Sequence, residues 1–247
     1  VALTKHPNLI RRLQTAAPRG IPLDHHDLAS LGVSSALAHH YLKSGWLARL
    51  GRGVFMFPND TLREQACLRF LARRIPGFHV GGSTALAWRG IRHNLPTHEP
   101  LWLWGDAKVR LPAWISERFR VRYTARRLFA PGLPKNFGLQ SLPENPGGVL
   151  VSVPERALLE LLSAVGIHQG IEDARNIVEG LRALRPEVLA ILLRHVVRVK
   201  VARLCVQWGE ELNLPWAGTA RKAAGKQLGH SRWTAQFKDG TTLILKP

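Results

Sequence analysis

The residues best able to do chemistry in this chain of 247 residues are its eleven histidines, one Gly-Gly-Ser turn and a run of polar and cationic groups between residues 24 and 57. The histidines invite a metal or acid–base reading. His25-His26 and His39-His40 are adjacent pairs, though, and neighbours on a helix point about 100° apart, so neither pair chelates one ion cleanly. No H-x-x-x-H, C-x-x-C or G-x-S-x-G pattern occurs. Phe78 to Val80 reads as a short strand entering Gly81-Gly82-Ser83, with a helix over 84–89. Backbone N–H groups converging at such a turn can hold phosphate. Metal-assisted phosphoryl transfer would further need two carboxylates close together on a nearby strand. The candidate strand, Leu101-Trp102-Leu103-Trp104, carries none, and Glu99 and Asp106 flank it seven residues apart. The turn is therefore read as structural, Ser83 has no evident base, and neither catalysis, a metal nor a cofactor is expected.

The second constellation points to duplex DNA. Ser34, Ser35, His39, His40 and Lys43, followed by Arg49 and Arg52, are short hydrogen-bonding groups and cations of the kind that reach base edges and phosphates. The elements that must position them can be read from the pattern. Asp24 caps a short helix with Asp27 at capping-box spacing, Leu28 and Leu31 give it an apolar stripe, and Gly32 stops it. Ser34 caps a second helix, whose apolar positions Leu37, Ala38, Tyr41 and Leu42 share one face. Ser35, Ala36, His39, His40 and Lys43 occupy the other. Trp46 to Leu50 and Val54 to Phe57 form two β arms around the Gly51-Arg52-Gly53 tip. Helix, turn, helix and basic hairpin is the winged helix-turn-helix order, with the second helix in the major groove and the wing along the phosphates. The plain alternative is a helical hairpin with a solvated basic rim.

Charge supports a polyanionic partner. Thirty-five Lys and Arg against seventeen Asp and Glu give +18 and a pI near 11.3, an imbalance that concerns partners and not fold. The excess is uneven: +4 over residues 1–60, +10 over 61–135, −3 over 136–193 and +7 over 194–247. No apolar run approaches the roughly 20 residues of a membrane span, and the N-terminus does not read as a signal peptide. Cys67 and Cys205 are expected to be buried free thiols of a cytoplasmic protein.

An opening helix carries Leu9, Ile10 and Leu13 inward. Pro58-Asn59-Asp60 marks a domain boundary, giving residues 1–60 as the winged helix-turn-helix and 61–247 as a larger mixed domain. Thr61 and Glu64 have capping-box spacing for a helix reaching Arg74. From Arg118 to Thr124 the sequence alternates strictly, which predicts a strand with Arg118, Arg120 and Arg122 on one face, either a track for phosphates or a solvated face. Ser152 to Glu155 opens a leucine-rich helix in which Arg156 pairs with Glu160. Helices are expected near 170–182, 186–195 and 198–212. Leu214-Pro215-Trp216 ends them, and Lys238-Asp239-Gly240 turns a final hairpin that closes the sheet. The fold class is α+β (mixed).

Three stretches carry a family resemblance. L-x-x-x-G-V-S with S-G-W-L-x-R-L-x-R-G-V-F, then G-G-S-T-A-L at 81–86 and S-V-P-E-R-A-L-L-E-L-L at 152–162, resemble AbiEi-type antitoxins of bacterial type IV toxin–antitoxin systems. The resemblance implies an N-terminal domain that binds operator inverted repeats in double-stranded DNA and represses the chain's own operon. It also implies a larger domain that counteracts a nucleotidyltransferase toxin without a stable complex. The Gly-Gly-Ser turn resembles the signature of polymerase-β-like nucleotidyltransferases as well. The alternative reading is thus a nucleotide- or RNA-binding protein with a degenerate domain of that type.

Overall fold

The computed structural model describes residues 6–91, 99–230, 233–236 and 242–245. In chain order the elements are α1 (His6–Ala16), β1 (Leu23–Asp24), α2 (His25–Ser30), α3 (Ser35–Lys43), β2 (Ala48–Gly51), β3 (Val54–Met56) and α4 (Glu64–Ala72). There follow β4 (His79–Val80), α5 (Gly82–Trp88), β5 (Leu101–Trp104), α6 (Ala113–Arg118), β6 (Val121–Thr124), β7 (Leu139–Gln140) and β8 (Val151–Ser152). The chain continues through α7 (Pro154–Ala164), α8 (Ile171–Glu179), α9 (Pro186–His195), α10 (Val199–Glu211) and α11 (Ala217–Ala224) to β9 (Trp233–Gln236) and β10 (Thr242–Leu245). Mixed α and β structure is as expected.

Two compact units emerge. The first is Val1–Arg74 with Arg110–Phe119, and the second is Ile75–Val109 with Arg120–Pro247. The first unit therefore runs past residue 60 and recovers a segment from far along the chain.

In the first unit, Leu13, Leu23, Leu28, Val33, Tyr41, Leu47 and Phe57 are among the residues of one apolar core. The sheet order is β1-β3-β2, antiparallel throughout, with Leu23 opposite Phe55 and Arg49 opposite Phe55 from the other side. Two-residue β1 carries too little pattern to be seen in sequence, yet it makes the wing a three-stranded sheet. α4 starts at Glu64 with Arg63 at its cap and no side-chain cap, so the capping box at Thr61 does not form. The reason lies one turn earlier. The Gly20 N–H donates to Asp60 Oδ2 at 2.7 Å and the Arg63 N–H to the Gly20 carbonyl at 2.8 Å, which holds residues 60–63 extended away from the helix axis.

The second unit is built on a five-stranded sheet of order β6-β5-β4-β8-β7. β4 runs antiparallel to β5 and parallel to β8, β5 is parallel to β6, and β7 is antiparallel to β8. α5 and α7 pack together, and α9, α10 and α11 enclose the rest of the core with α7. α11 is not legible in the sequence, because its alanine-rich turn follows Leu-Pro-Trp, which reads as a stop. Trp216 is buried there, and its Nε1–H donates to the Leu181 carbonyl at 2.6 Å. α7 has Val153 at its N-cap, whose side chain cannot accept a hydrogen bond, and the Ser152 hydroxyl donates to Glu160 instead. β9 and β10 pair antiparallel, as expected of the final hairpin, but as a separate two-stranded sheet. Their anchor is α10: Arg203, itself buried, donates to the Leu245 carbonyl at 3.2 Å. The expected turn at Lys238-Asp239-Gly240 lies outside the described residues. Cys67 and Cys205 are buried and free, and burial pushes the Cys67 thiol up to about 12, Arg118 opposing it and Glu64 adding to it. No described helix is long and apolar enough to cross a membrane.

Candidate nucleic-acid interface

The helix-turn-helix is set by its caps. The Asp27 N–H donates to Asp24 Oδ1 at 2.8 Å, and the Asp24 N–H donates to Asp27 Oδ2 at 3.0 Å. Both carboxylates are tied a second time, to the end of α4. Arg73 donates from Nη1 and Nη2 to Asp27 at 2.7 and 3.0 Å, and Arg74 donates to Asp24 Oδ2 at 2.6 Å. Burial alone would raise the Asp24 carboxyl, but the Asp27 N–H and the Arg74 and Arg73 guanidiniums hold it below the ordinary range. These arginines therefore brace α2, and the Arg74 guanidinium also lies 3.8 Å from the centre of the Phe70 ring.

α3 follows the turn in the orientation that its pattern predicts. Ala38 and Tyr41 are buried, whereas Ser34, Ser35, His39, His40 and Lys43 are exposed. Ser34 has a local task, since its Oγ accepts the Leu37 N–H at 3.2 Å. His40 Nε2 lies 3.5 Å from Ser44 Oγ. Ser35 and His39 sit on the open face, with Ser35 Oγ 3.5 Å from His25 Nδ1.

His25 also belongs to this surface, although nothing in its sequence neighbourhood singles it out. Its ring meets Phe55 edge-on at 5.1 Å and reaches Gly53 in the wing turn, while its Nδ1 faces the first turn of α3. One exposed histidine thus links α3 and the wing. The wing itself bulges at Leu50, between the Arg49–Phe55 and Gly51–Val54 pairs, and turns at Gly53, whose φ of +69° suits a residue without Cβ. Arg49 and Arg52 are exposed on it. Trp114 of α6, buried, supports the wing from behind: it lies against Gly51 and meets Phe70 edge-on at 5.8 Å.

The arginine track is divided. Arg118 ends helix α6, where its Nη1 donates to the Trp114 carbonyl at 3.2 Å, and it belongs to the first unit. Only Val121–Thr124 is strand, so the alternation from 118 describes a helix end for its first part. Pro112 stands at the N-cap of that helix, without a side-chain cap bond. Arg120 and Arg122 belong to the second unit and are exposed. Arg122 Nη1 stands 3.3 Å from His168 Nδ1, with its guanidinium 6.0 Å from the centre of the Trp102 ring.

The Gly-Gly-Ser turn already holds an anion, and it is the protein's own. The Gly82 N–H donates to Glu160 Oε2 at 3.0 Å, and the Ser152 hydroxyl donates to the same oxygen at 2.8 Å. Oε1 accepts from Arg156 Nε at 2.9 Å and lies 3.0 Å from His79 Nε2. A Cβ on Gly81 would collide with Glu160 Oε2 and with the Trp104 indole, so this position must be glycine. Burial pushes the Glu160 carboxyl up, but His79 and Arg156 overcome it and hold the group at about 2. The i,i+4 pair with Arg156 is present as read; that Glu160 is only 1% exposed and anchors the turn was not legible. Trp102, Leu103 and Trp104 of β5 are buried, and the strand offers no carboxylate to a metal. Among the described residues, no group of three or more His, Cys, Asp or Glu stands close enough to hold a metal ion.

Two family models and one solved structure match the chain, and the boundary between the models, at 97/98, differs from that between the compact units. The fold is similar to that in the crystal structure of the RV2827C protein from Mycobacterium tuberculosis, at a TM-score of 0.57 and 16% identity, over 93% of this chain and 87% of that one. No curated protein matches the sequence. Residues 6–97 match the model of the AbiEi antitoxin N-terminal domain of transcriptional regulators. Residues 98–241 match that of the transcriptional regulator, AbiEi antitoxin, of type IV toxin–antitoxin systems, and the chain belongs to this AbiEi antitoxin family.

Proposed function

We propose that the protein is a sequence-specific, double-stranded DNA-binding autorepressor that reads inverted repeats in its own operator. In the same reading it counteracts a nucleotidyltransferase toxin in the cytoplasm without holding it in a stable complex. The observation that carries the DNA reading is the capped α2–α3 pair with its open Ser35 and His39 face, linked by His25 to a wing that presents Arg49 and Arg52. α3 enters the major groove, and the wing follows the adjacent phosphates. Inverted repeats call for two such heads, one on each half-site. Arg120 and Arg122 add phosphate contacts from the second unit.

Antitoxicity resides in the residues beyond the helix-turn-helix and wing. A chain starting at residue 61 is a poor test of this division, because Phe70 and Trp114 would lose the first unit's remaining support. The full chain with His39→Ala and Arg52→Ala together is the better one. Operator binding is scored by gel shift, and protection by growth during co-expression with the neighbouring toxin. Loss of operator binding with protection kept is the expected result. Protection lost along with binding, in a protein that still melts normally, would refute the division.

A further inference from the structure

We infer that the second unit carries a binding site for a nucleoside phosphate, in the cleft beside His79 and Trp104. The cleft has a volume of about 570 Å³, and it lies where β5 and β6 end, roofed by the loop after β6 and floored by α7. Such a volume is in the usual range for small-molecule sites. None of its residues belongs to the DNA-reading set.

Its lining separates into a cationic and an apolar part. Arg126, Arg127, Lys135 and Arg156 supply the cations, against Asp106 and Glu160. Glu160 is already matched by Arg156 and His79. Arg126 and Lys135, both exposed, make no side-chain hydrogen bond or ion pair among the described residues. Leu128, Phe129, Pro131 and Leu133 form the apolar wall, with the Arg156 guanidinium 5.2 Å from the centre of the Phe129 ring. A phosphate suits the first part, and a flat, weakly polar base suits the second.

Two further observations concern the surroundings of the cleft. Trp104, only 5% exposed, lines it and stacks on His79 with the ring centres 6.3 Å apart. The cationic field of Arg126 also reaches groups beyond the cleft. Lys200, whose Nζ donates to the Ser163 and Val165 carbonyls, is held down to about 8 by burial first, then by Arg126 and Arg198. His168 is lowered by burial, Arg122 and Arg126. A bound anion would relieve both groups.

The test is calorimetric titration of the full chain with ATP, inorganic triphosphate and adenosine. ATP should bind, triphosphate should bind more weakly, and adenosine should give no measurable heat. Arg126→Ala with Lys135→Ala alters two exposed side chains and should weaken ATP at least tenfold; Lys135→Ala alone should weaken it by a smaller factor. Arg52→Ala, on the DNA-reading wing, should leave ATP affinity unchanged. Absence of ATP binding would overturn the site. So would equal loss from Arg52→Ala and from the cleft variants, which would mean unspecific attraction to a basic protein, or adenosine binding as tightly as ATP.

Discussion

The indole of Trp114 lies so close to Gly51 that a Cβ there would stand 3.3 Å from its Cδ1. This one relationship joins a wing residue to a segment some 60 positions later, and it explains why residues 110–119 fold with the first unit. Trp114→Ala removes the buried ring from both Gly51 and Phe70 and should cost about 3–5 kcal/mol. Thermal unfolding measures the loss, and hydrogen exchange should show the wing amides opening first. Wing protection unchanged in this variant would separate Trp114 from the wing.

Reading and gripping should be separable on the proposed interface. Ser35→Ala or His39→Ala should relax sequence preference, by roughly 1–3 kcal/mol for each base-edge hydrogen bond removed. Arg49→Ala or Arg52→Ala should instead weaken all duplexes alike and reduce the salt slope by about one. Anisotropy titrations at several salt concentrations, with operator and scrambled duplex, distinguish the two. An unchanged slope for Arg52→Ala would remove the wing from the phosphates.

Acid should act on the second unit through Glu160. Its folded-state value of about 2 lies below the ordinary carboxylate value of 4.5, so its contribution is fully present above the latter. It is lost as pH falls from the unfolded value through the folded one, a window of about 5 to 2. Glu160→Gln should be destabilised by about 3–5 kcal/mol near neutrality, since Arg156 and His79 lose their buried partner. Denaturant titrations at stepped pH should show a flatter acid limb for this variant than for the parent.

Two buried hydroxyls should be dispensable. Tyr41 Oη and Ser83 Oγ have no hydrogen-bond partner among the described residues. Tyr41→Phe and Ser83→Ala each remove an unsatisfied group while leaving the packing nearly intact. Each should be neutral or stabilising by on the order of 1 kcal/mol in a thermal melt. Ser83→Ala should also leave toxin protection intact, and its loss in a stable protein would revive a catalytic role for the turn.

Local physics was legible in the sequence, and distant pairing was not. Asp24, Asp27 and Ser34 cap the helices that their spacing predicts, because a cap is decided within a few residues. The buried face of α3 follows from period alone. Arg118 departs from its predicted strand because Arg-Phe-Arg-Val-Arg-Tyr alternates as well as any strand, and only packing around Trp114 selects the helix. β1 is too short for any pattern, and its pairing with β3 rests on residues about 30 positions away. Glu160 carries an i,i+4 signal to Arg156 but none to the turn at Gly82, 78 positions earlier. In sequence His25 is only half of a histidine pair, since nothing local indicates that it bridges helix and wing.

The discontinuous first unit also sets an order of events during synthesis. Gly51 is added to the chain roughly 3–12 s before Trp114, at about 5–20 residues per second. Through that interval α2, α3 and the wing can form around Leu28 and Tyr41, yet Gly51 and Phe70 wait for their lid. A nascent chain stalled before residue 114 would therefore display Arg49 and Arg52 on an unbraced wing. The wing would thus gain its full support only after nearly half the chain has been translated.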